Sequence, residues 1–230
     1  MKFIKAKEII ELLEQANIYN ATGKVTMTLN GISVDVKQND IVGNVLQEWL
    51  GEVFRQNDIY FRPAVGQTFP DFYLSEDDKS NLCEMKTFFN SPNFDVANYH
   101  GYVDSIAEKP YRLNSDYIIF EYTNSTHGII SIKNIWCKKV WEITGPATDY
   151  DLKCQRKKGQ IVNIRPVTFH SNRSKIKPFN DLSRFLIALY KTHISVTNQS
   201  KVSKDWLKTV INGYKEFSGI NLSDKILPHI

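Results

Sequence analysis

The chain lacks most of what would mark a secreted, membrane-spanning or zinc-folded protein. Cys83, Cys137 and Cys154 are odd in number, widely spaced and without the C-x2-C pairs of a zinc site. Reduced thiols in a cytoplasmic protein are the simplest account. No run approaches the ~18 consecutive apolar residues of a membrane span. The first twenty residues mix Lys5, Lys7, Glu8, Glu11 and Glu14 with apolar positions, which predicts an amphipathic helix rather than a signal peptide. The length allows one domain or two, and no linker rich in Pro, Gly or Ser and no repeat divides the 230 residues. A single domain over residues 1–230 is therefore expected.

What is present is acid where a core strand should have none. Asp71 in Phe69-Pro70-Asp71-Phe72-Tyr73-Leu74 and Glu84 in Leu82-Cys83-Glu84-Met85-Lys86-Thr87-Phe88 both interrupt apolar, strand-like runs. Side chains alternate along a strand, so Glu84 and Lys86 leave one face roughly 6.6 to 7 Å apart while Cys83 and Met85 point into a core. The polar run from Ser75 to Asn81 reads as the hairpin loop joining the two strands. Two carboxylates supply the hard oxygen ligands that Mg2+ prefers, and a neighbouring lysine can orient water or offset charge on phosphate. Those are the groups that phosphodiester hydrolysis requires. The bare motif is short: Asp77-Asp78-Lys79 and Asp151-Leu152-Lys153 also fit acid-x-Lys and read as solvated charges. The bland alternative is that Pro70-Asp71 is a turn and Glu84 and Lys86 form a surface ion pair.

A third acid is available from a helix. Between Asp40 and Asn57 the residues Ile41, Val42, Val45, Leu46, Trp49, Leu50, Val53 and Phe54 recur at helical spacing, with Asn39 or Asp40 as N-cap. Glu48 and Glu52 flank this wide stripe on opposite sides. The helical wheel does not choose between them, and either could be merely a solubilising charge.

With these residues in view, the sequence resembles the PD-(D/E)xK nuclease superfamily, and within it the type II restriction endonucleases. Pro70-Asp71 and Glu84-Met85-Lys86 match the signature, and the helix with Gly43-Asn44 ahead of Glu48 is similar to the family's first helix. The resemblance implies that Asp71 and Glu84 bind Mg2+, with Mn2+ a possible substitute. It implies further that the Met85 carbonyl completes the coordination, that Lys86 assists the attacking water and that Glu48, rather than Glu52, adds an acid. It also implies an α/β fold with a mixed central β-sheet flanked by helices. The match covers roughly residues 40–122 as catalytic core, counting a helix from Tyr99 to Ala107 and a strand from Asp116 to Tyr122. The remainder is similar to the NgoBV-like group of restriction enzymes.

Charge is uneven. From Lys138 to Lys177 ten basic residues face three acidic ones, a net +7 in a chain whose total is +4. A basic block beside an acidic, metal-binding half suits a protein that attracts a phosphate backbone, although such a block can also be a solvated surface. Residues 134–180 are accordingly the candidate DNA-recognition segment. Lys138, Lys139, Lys157, Lys158 and Arg165 suit phosphate, while Gln155, Arg156, Ser171, Asn172 and Arg173 are candidate base readers, because Gln and Asn pair two-pronged with adenine and Arg with guanine. Gln155 to Gln160 is expected as a hairpin leading into a strand from Ile161 to Phe169, with His170 beside it. His100, His127, His193 and His229 show no ligand spacing. Asp181 and Ser203 are expected to cap two final helices, and Trp49, Trp136, Trp141 and Trp206 to be core residues.

The combined expectation is a Mg2+-dependent type II endonuclease acting on double-stranded DNA, a homodimer reading a palindrome. A repair nuclease or junction resolvase on the same core, or a DNA-binding protein without catalysis, are the alternatives.

Overall fold

The computed structural model describes residues 1–66, 68–197 and 200–230. In chain order the elements are α1 (Ala6–Gln15), β1 (Thr22–Gly23), β2 (Val25–Leu29), β3 (Ile32–Val36), α2 (Val42–Gln56), β4 (Arg62–Pro63), β5 (Phe72–Tyr73) and β6 (Leu82–Phe89). There follow β7 (Ala97–Asn98), α3 (Tyr99–Glu108), β8 (Asp116–Asn124), β9 (Ile130–Lys138), β10 (Cys154–Lys157), β11 (Gln160–Ile164), α4 (Leu182–Thr197), α5 (Ser200–Ser218) and α6 (Ser223–Ile226). The architecture is α/β with a mixed central sheet flanked by helices. Backbone packing divides it into two compact units, residues 1–92 with 116–138, and residues 93–115 with 139–230.

The first unit holds the sheet, in the order β1-β9-β8-β6-β5-β4. β6 and β8 are parallel and every other pair is antiparallel. Alternation along β6 buries Cys83 and Met85 in a core with Ile118, Phe120 and Tyr122 of β8, Ile9 and Leu13 of α1, and Val42, Leu50 and Phe54 of α2. Alternation in β9 breaks at a bulge: Glu121 pairs with Asn134 but Tyr122 with Ile132, leaving Lys133 extra. That extra residue brings Lys133 Nζ (2.9 Å) and Asn134 Nδ2 (2.7 Å) together onto the buried Glu121 carboxylate. The bulge thus satisfies a charge that the strand would otherwise leave bare.

The second unit packs α3 to α6 with a small sheet in the order β10-β11-β7. Asn98 caps α3 by accepting from the Gly101 N–H at 2.9 Å, and Asp181 caps α4, as the sequence predicts for it, by accepting from the Arg184 N–H at 2.9 Å. Trp206 of α5 donates its indole N–H to the Val103 carbonyl of α3 at 2.9 Å.

Several local expectations need correction. Neither Asn39 nor Asp40 caps α2; a 3-10 turn over Asn39–Ile41 precedes it, and the Asn39 side chain accepts from Asn124 Nδ2 instead. Ser203 is not a cap, because α5 begins three residues earlier at Ser200, and Ser203 lies buried inside it. The strand expected from Ile161 to Phe169 stops at Ile164, where Pro166 supplies no N–H to a ladder. The run from Gln155 is mostly strand rather than loop: only Lys158 and Gly159, at φ 50° and 79°, form the turn, a two-residue link of the kind that matches strand twist.

Candidate active site and nucleic-acid interface

The site begins at a strand break. β5 pairs with β6 through Tyr73 opposite Leu82 and Phe72 opposite Cys83, and continuing that register would set Pro70 opposite Met85. Proline cannot donate to a ladder, so the strand ends. The Met85 N–H is taken instead by Asp71 Oδ2 at 2.7 Å. This clamps the Asp71 carboxylate to the strand that carries Glu84 and Lys86.

Glu84 is buried, and its Oε1 accepts from Lys86 Nζ at 2.7 Å. Its Oε2 is also buried and receives no hydrogen bond. A carboxylate oxygen left bare in a low-dielectric setting is expensive unless a cation is meant to meet it. Asp71 shows the same strain electrostatically. Burial, and then the Glu84 charge, push its carboxyl up from the ordinary 3.8 to about 6, against the opposing pull of the Met85 N–H, Lys86 and the Gln47 side chain. Two acids, one ammonium and one amide therefore converge.

The helix residue in this group is Gln47, which sequence reasoning missed. On α2 the positions 43, 47 and 51 lie one above another. Gly43 and Gly51 mark the line of closest approach, and a Cβ at Gly43 would sit 3.0 Å from Thr87 Oγ1. That pair of glycines was the available signal. Glu48, one residue on, is exposed, and Glu52 is exposed and paired with Arg55 (2.8 Å) and Gln56 (3.2 Å). Among the described residues, no group of three or more His, Cys, Asp or Glu comes together, so neither helix glutamate joins Asp71 and Glu84. The decoy motifs are spent locally: Asp77 accepts from the Ser80 N–H, Asp78 pairs with Arg62, and Lys153 donates to the Pro166 carbonyl at 2.8 Å.

The basic residues sort by commitment. Lys138 ends β9 in the first unit, half-buried. In the second unit Lys139 donates to the Asn114 carbonyl at 2.6 Å, and Arg165 is held by Asp95 at 3.1 Å and by the Asn93 carbonyl. Gln155 accepts from Asn163, and Arg156 lies over the Tyr150 ring and 3.5 Å from Asp149. Lys157 and Lys158 are exposed at the β10–β11 turn, as are Asn172 and Arg173 in their loop, while Ser171 is half-buried and accepts from the Arg173 N–H at 3.3 Å. His170 is exposed against Phe169.

The sheet, its flanking helices and the clamped acid-x-Lys strand define a restriction-endonuclease fold. The family model of the NgoBV restriction endonuclease matches residues 3–230. The type II restriction enzyme NlaIV of Neisseria lactamica is 35% identical over 226 residues, covering 96% of this chain and 93% of that protein. NgoBV of Neisseria gonorrhoeae is 35% identical over 166 residues, covering 69% and 93%. The solved structure of the NlaIV endonuclease superposes with a TM-score of 0.89 at 34% identity, covering 96% of this chain and 92% of the other. The chain belongs to the NgoBV restriction endonuclease family, among the type II restriction enzymes.

The raised pKa of Asp71 has a signed consequence. Between 3.8 and about 6 the folded state binds the Asp71 proton more tightly than the unfolded chain does, so without metal the ionised carboxylate costs stability above pH 6. The cost shrinks as pH falls from about 6 toward 3.8, below which both states are protonated. Asp71→Asn keeps an acceptor for the Met85 N–H and should stabilise the metal-free protein by on the order of 2 kcal/mol at pH 7.5 but not at pH 4. Urea unfolding in EDTA at both pH values measures the difference.

Proposed function

We propose that the protein is a Mg2+-dependent endonuclease of type II that hydrolyses double-stranded DNA at a specific, palindromic sequence, working as a cytoplasmic homodimer. The observation that carries this reading is the Asp71–Glu84–Lys86 cluster with its bare, buried Glu84 Oε2. Its donor set fits a hard divalent cation: Asp71, Glu84 Oε2 and the Met85 carbonyl would hold Mg2+, or Mn2+ in its place. Gln47, rather than Glu48, is the α2 group assigned to support it. When bound, such a cation supplies Lewis-acid activation of water and of the scissile phosphate.

The chain's own groups do the positioning. The Met85 N–H holds Asp71 Oδ2, with the Gln47 side chain acting on the same carboxylate, so that the carboxylate is aimed without a rotamer search. Glu84 Oε1 holds Lys86, whose remaining N–H donors are available to a water or a phosphate oxygen. The ammonium offsets negative charge that builds on phosphorus-bound oxygens, where partial burial makes it count for more than in water. Residues 40–122 serve as catalytic core and residues 134–180 as recognition segment of one functional domain. Within that segment Lys157, Lys158 and the less free Lys138, Lys139 and Arg165 suit phosphate, and Gln155, Arg156, Ser171, Asn172 and Arg173 suit base edges.

Digestion of a plasmid with Mg2+ tests the reading: discrete bands are expected, and no divalent-dependent cleavage would overturn it. Asp71→Ala and Glu84→Ala should abolish cleavage while DNA binding persists. Lys86→Ala should cost at least ~100-fold in the single-turnover rate, with Lys79→Ala and Lys153→Ala far less affected. Gln47→Ala should reduce metal-supported cleavage more than Glu48→Gln.

The recognition segment is tested by salt. Replacing Lys157 or Lys158 with Ala should weaken binding to every duplex and lower the slope of log affinity against log salt by about one unit per lost contact. Arg156→Ala or Arg173→Ala should instead fall on the cognate duplex, by about 1 to 3 kcal/mol. Titrating both duplexes at two salt concentrations separates the two behaviours.

A further inference from the structure

The β2–β3 hairpin is two-faced. Its cross-strand pairs are Val25 with Val36, Met27 with Val34 and Leu29 with Ile32, so six apolar residues share one face. The opposite face is polar and self-satisfied: Thr28 and Ser33 hydroxyls bond at 2.8 Å, and Asp35 accepts from Thr26 at 2.8 Å and Lys24 at 3.1 Å. The turn, Asn30-Gly31 at φ 48° and 75°, is the tight type that fixes this register. A register so fixed makes the apolar face a constant feature.

That face is bare. Met27 is 53% exposed, Leu29 68%, Ile32 74% and Val34 56%, in a protein whose other strands bury such residues. It continues through Val25 into a groove lined by Ile18, Val42, Val45, Leu46 and Trp49. A two-stranded hairpin is at best marginally stable alone in water, and among the described residues it pairs with no third strand.

We infer that this face of the β2–β3 hairpin, with the adjoining groove, is where a second copy of the chain docks. The inference rests on the homodimer proposed above and names its surface. The exposed aliphatic area is on the order of 500 Å2 per protomer, at the upper end for the largest apolar patch of a monomer. Doubled across a two-fold axis it reaches the roughly 1,000 Å2 that a specific interface needs, before the groove is counted. An all-aliphatic face without charge is suited to meeting its own copy, since a two-fold interface sets the same patch against itself and nothing in this patch repels its twin. Nucleic acid is excluded as its occupant by the same lack of charge.

Light scattering over a concentration series tests this with the full chain. The parent protein should be a dimer, and Leu29→Lys and Ile32→Lys should weaken dimerisation at least ~100-fold, because each would set like charges in an apolar contact. Both sites are exposed in the protomer, so circular dichroism should be unchanged. Thr28→Lys, on the polar face, should leave the dimer intact. A dimer that survives both apolar-face changes would overturn the surface but not the dimer. A parent protein that is monomeric at every concentration would overturn both. Should the lysine variants misfold, hydrogen exchange of residues 25–36 in the parent decides: protection lost on dilution supports the inference, and protection independent of concentration overturns it.

Discussion

The site depends on one hydrogen bond, from the Met85 N–H to the Asp71 carboxylate. It exists because a proline ends β5 where the ladder would have continued, freeing a backbone donor inside the sheet. A buried N–H demands a partner, and the acid one residue beyond the proline is placed to supply it. The consequence is mechanical as well as energetic. Asp71 belongs to the strand break and Glu84 to the unbroken strand, and without this bond their separation would be set by a loop.

That arrangement stores charge. Two carboxylates, the pKa of Asp71 raised by burial and then by the Glu84 charge, share a single adjacent ammonium, and one oxygen of Glu84 has no donor at all. Folding selects against such clusters unless something later completes them, since each unpaired ionised group resists leaving water. Elsewhere in the same unit the chain shows how a buried acid is settled when nothing is to be bound: Glu121 sits on a bulge that delivers both Lys133 and Asn134. The contrast between a fully answered glutamate and a half-answered one, within a single sheet, is the strongest physical argument for where chemistry happens.

How much of this was legible follows from periodicity. Strand alternation is strict, so Glu84 and Lys86 on one face with Cys83 and Met85 on the other could be read directly, as could the Ser75–Asn81 loop between the two acids. The apolar repeat of α2 was equally plain. What failed was the fine rotation of that helix: a stripe eight residues wide does not say which flank meets the sheet edge, and an acid at 48 outweighed an amide at 47 in any chemical reading. The glycines at 43 and 51 hold that information, because a Cβ at Gly43 would sit only 3.0 Å from Thr87 Oγ1, so the helix approaches the sheet closely on that side. Helix starts were also misread where a cap residue was already engaged across the structure, as Asn39 is with Asn124.

Net charge misleads in a similar way, because it counts cations without asking what holds them. Of the basic residues between 138 and 177, Lys139, Lys153, Arg165 and Lys177 each donate to backbone carbonyls, and Arg165 is neutralised by Asp95 as well. The three lysines keep their charge, since a carbonyl does not neutralise an ammonium, but each is held in place and less free to reach out to a phosphate. Lys157 and Lys158 differ in being exposed at the tip of the β10–β11 hairpin, Lys157 as the last residue of β10 and Lys158 in the two-residue turn with Gly159. A segment can therefore be strongly basic by composition while only part of its charge is free to reach a phosphate. The geometry of a turn, more than the number of lysines, sets where a polyanion would first be felt.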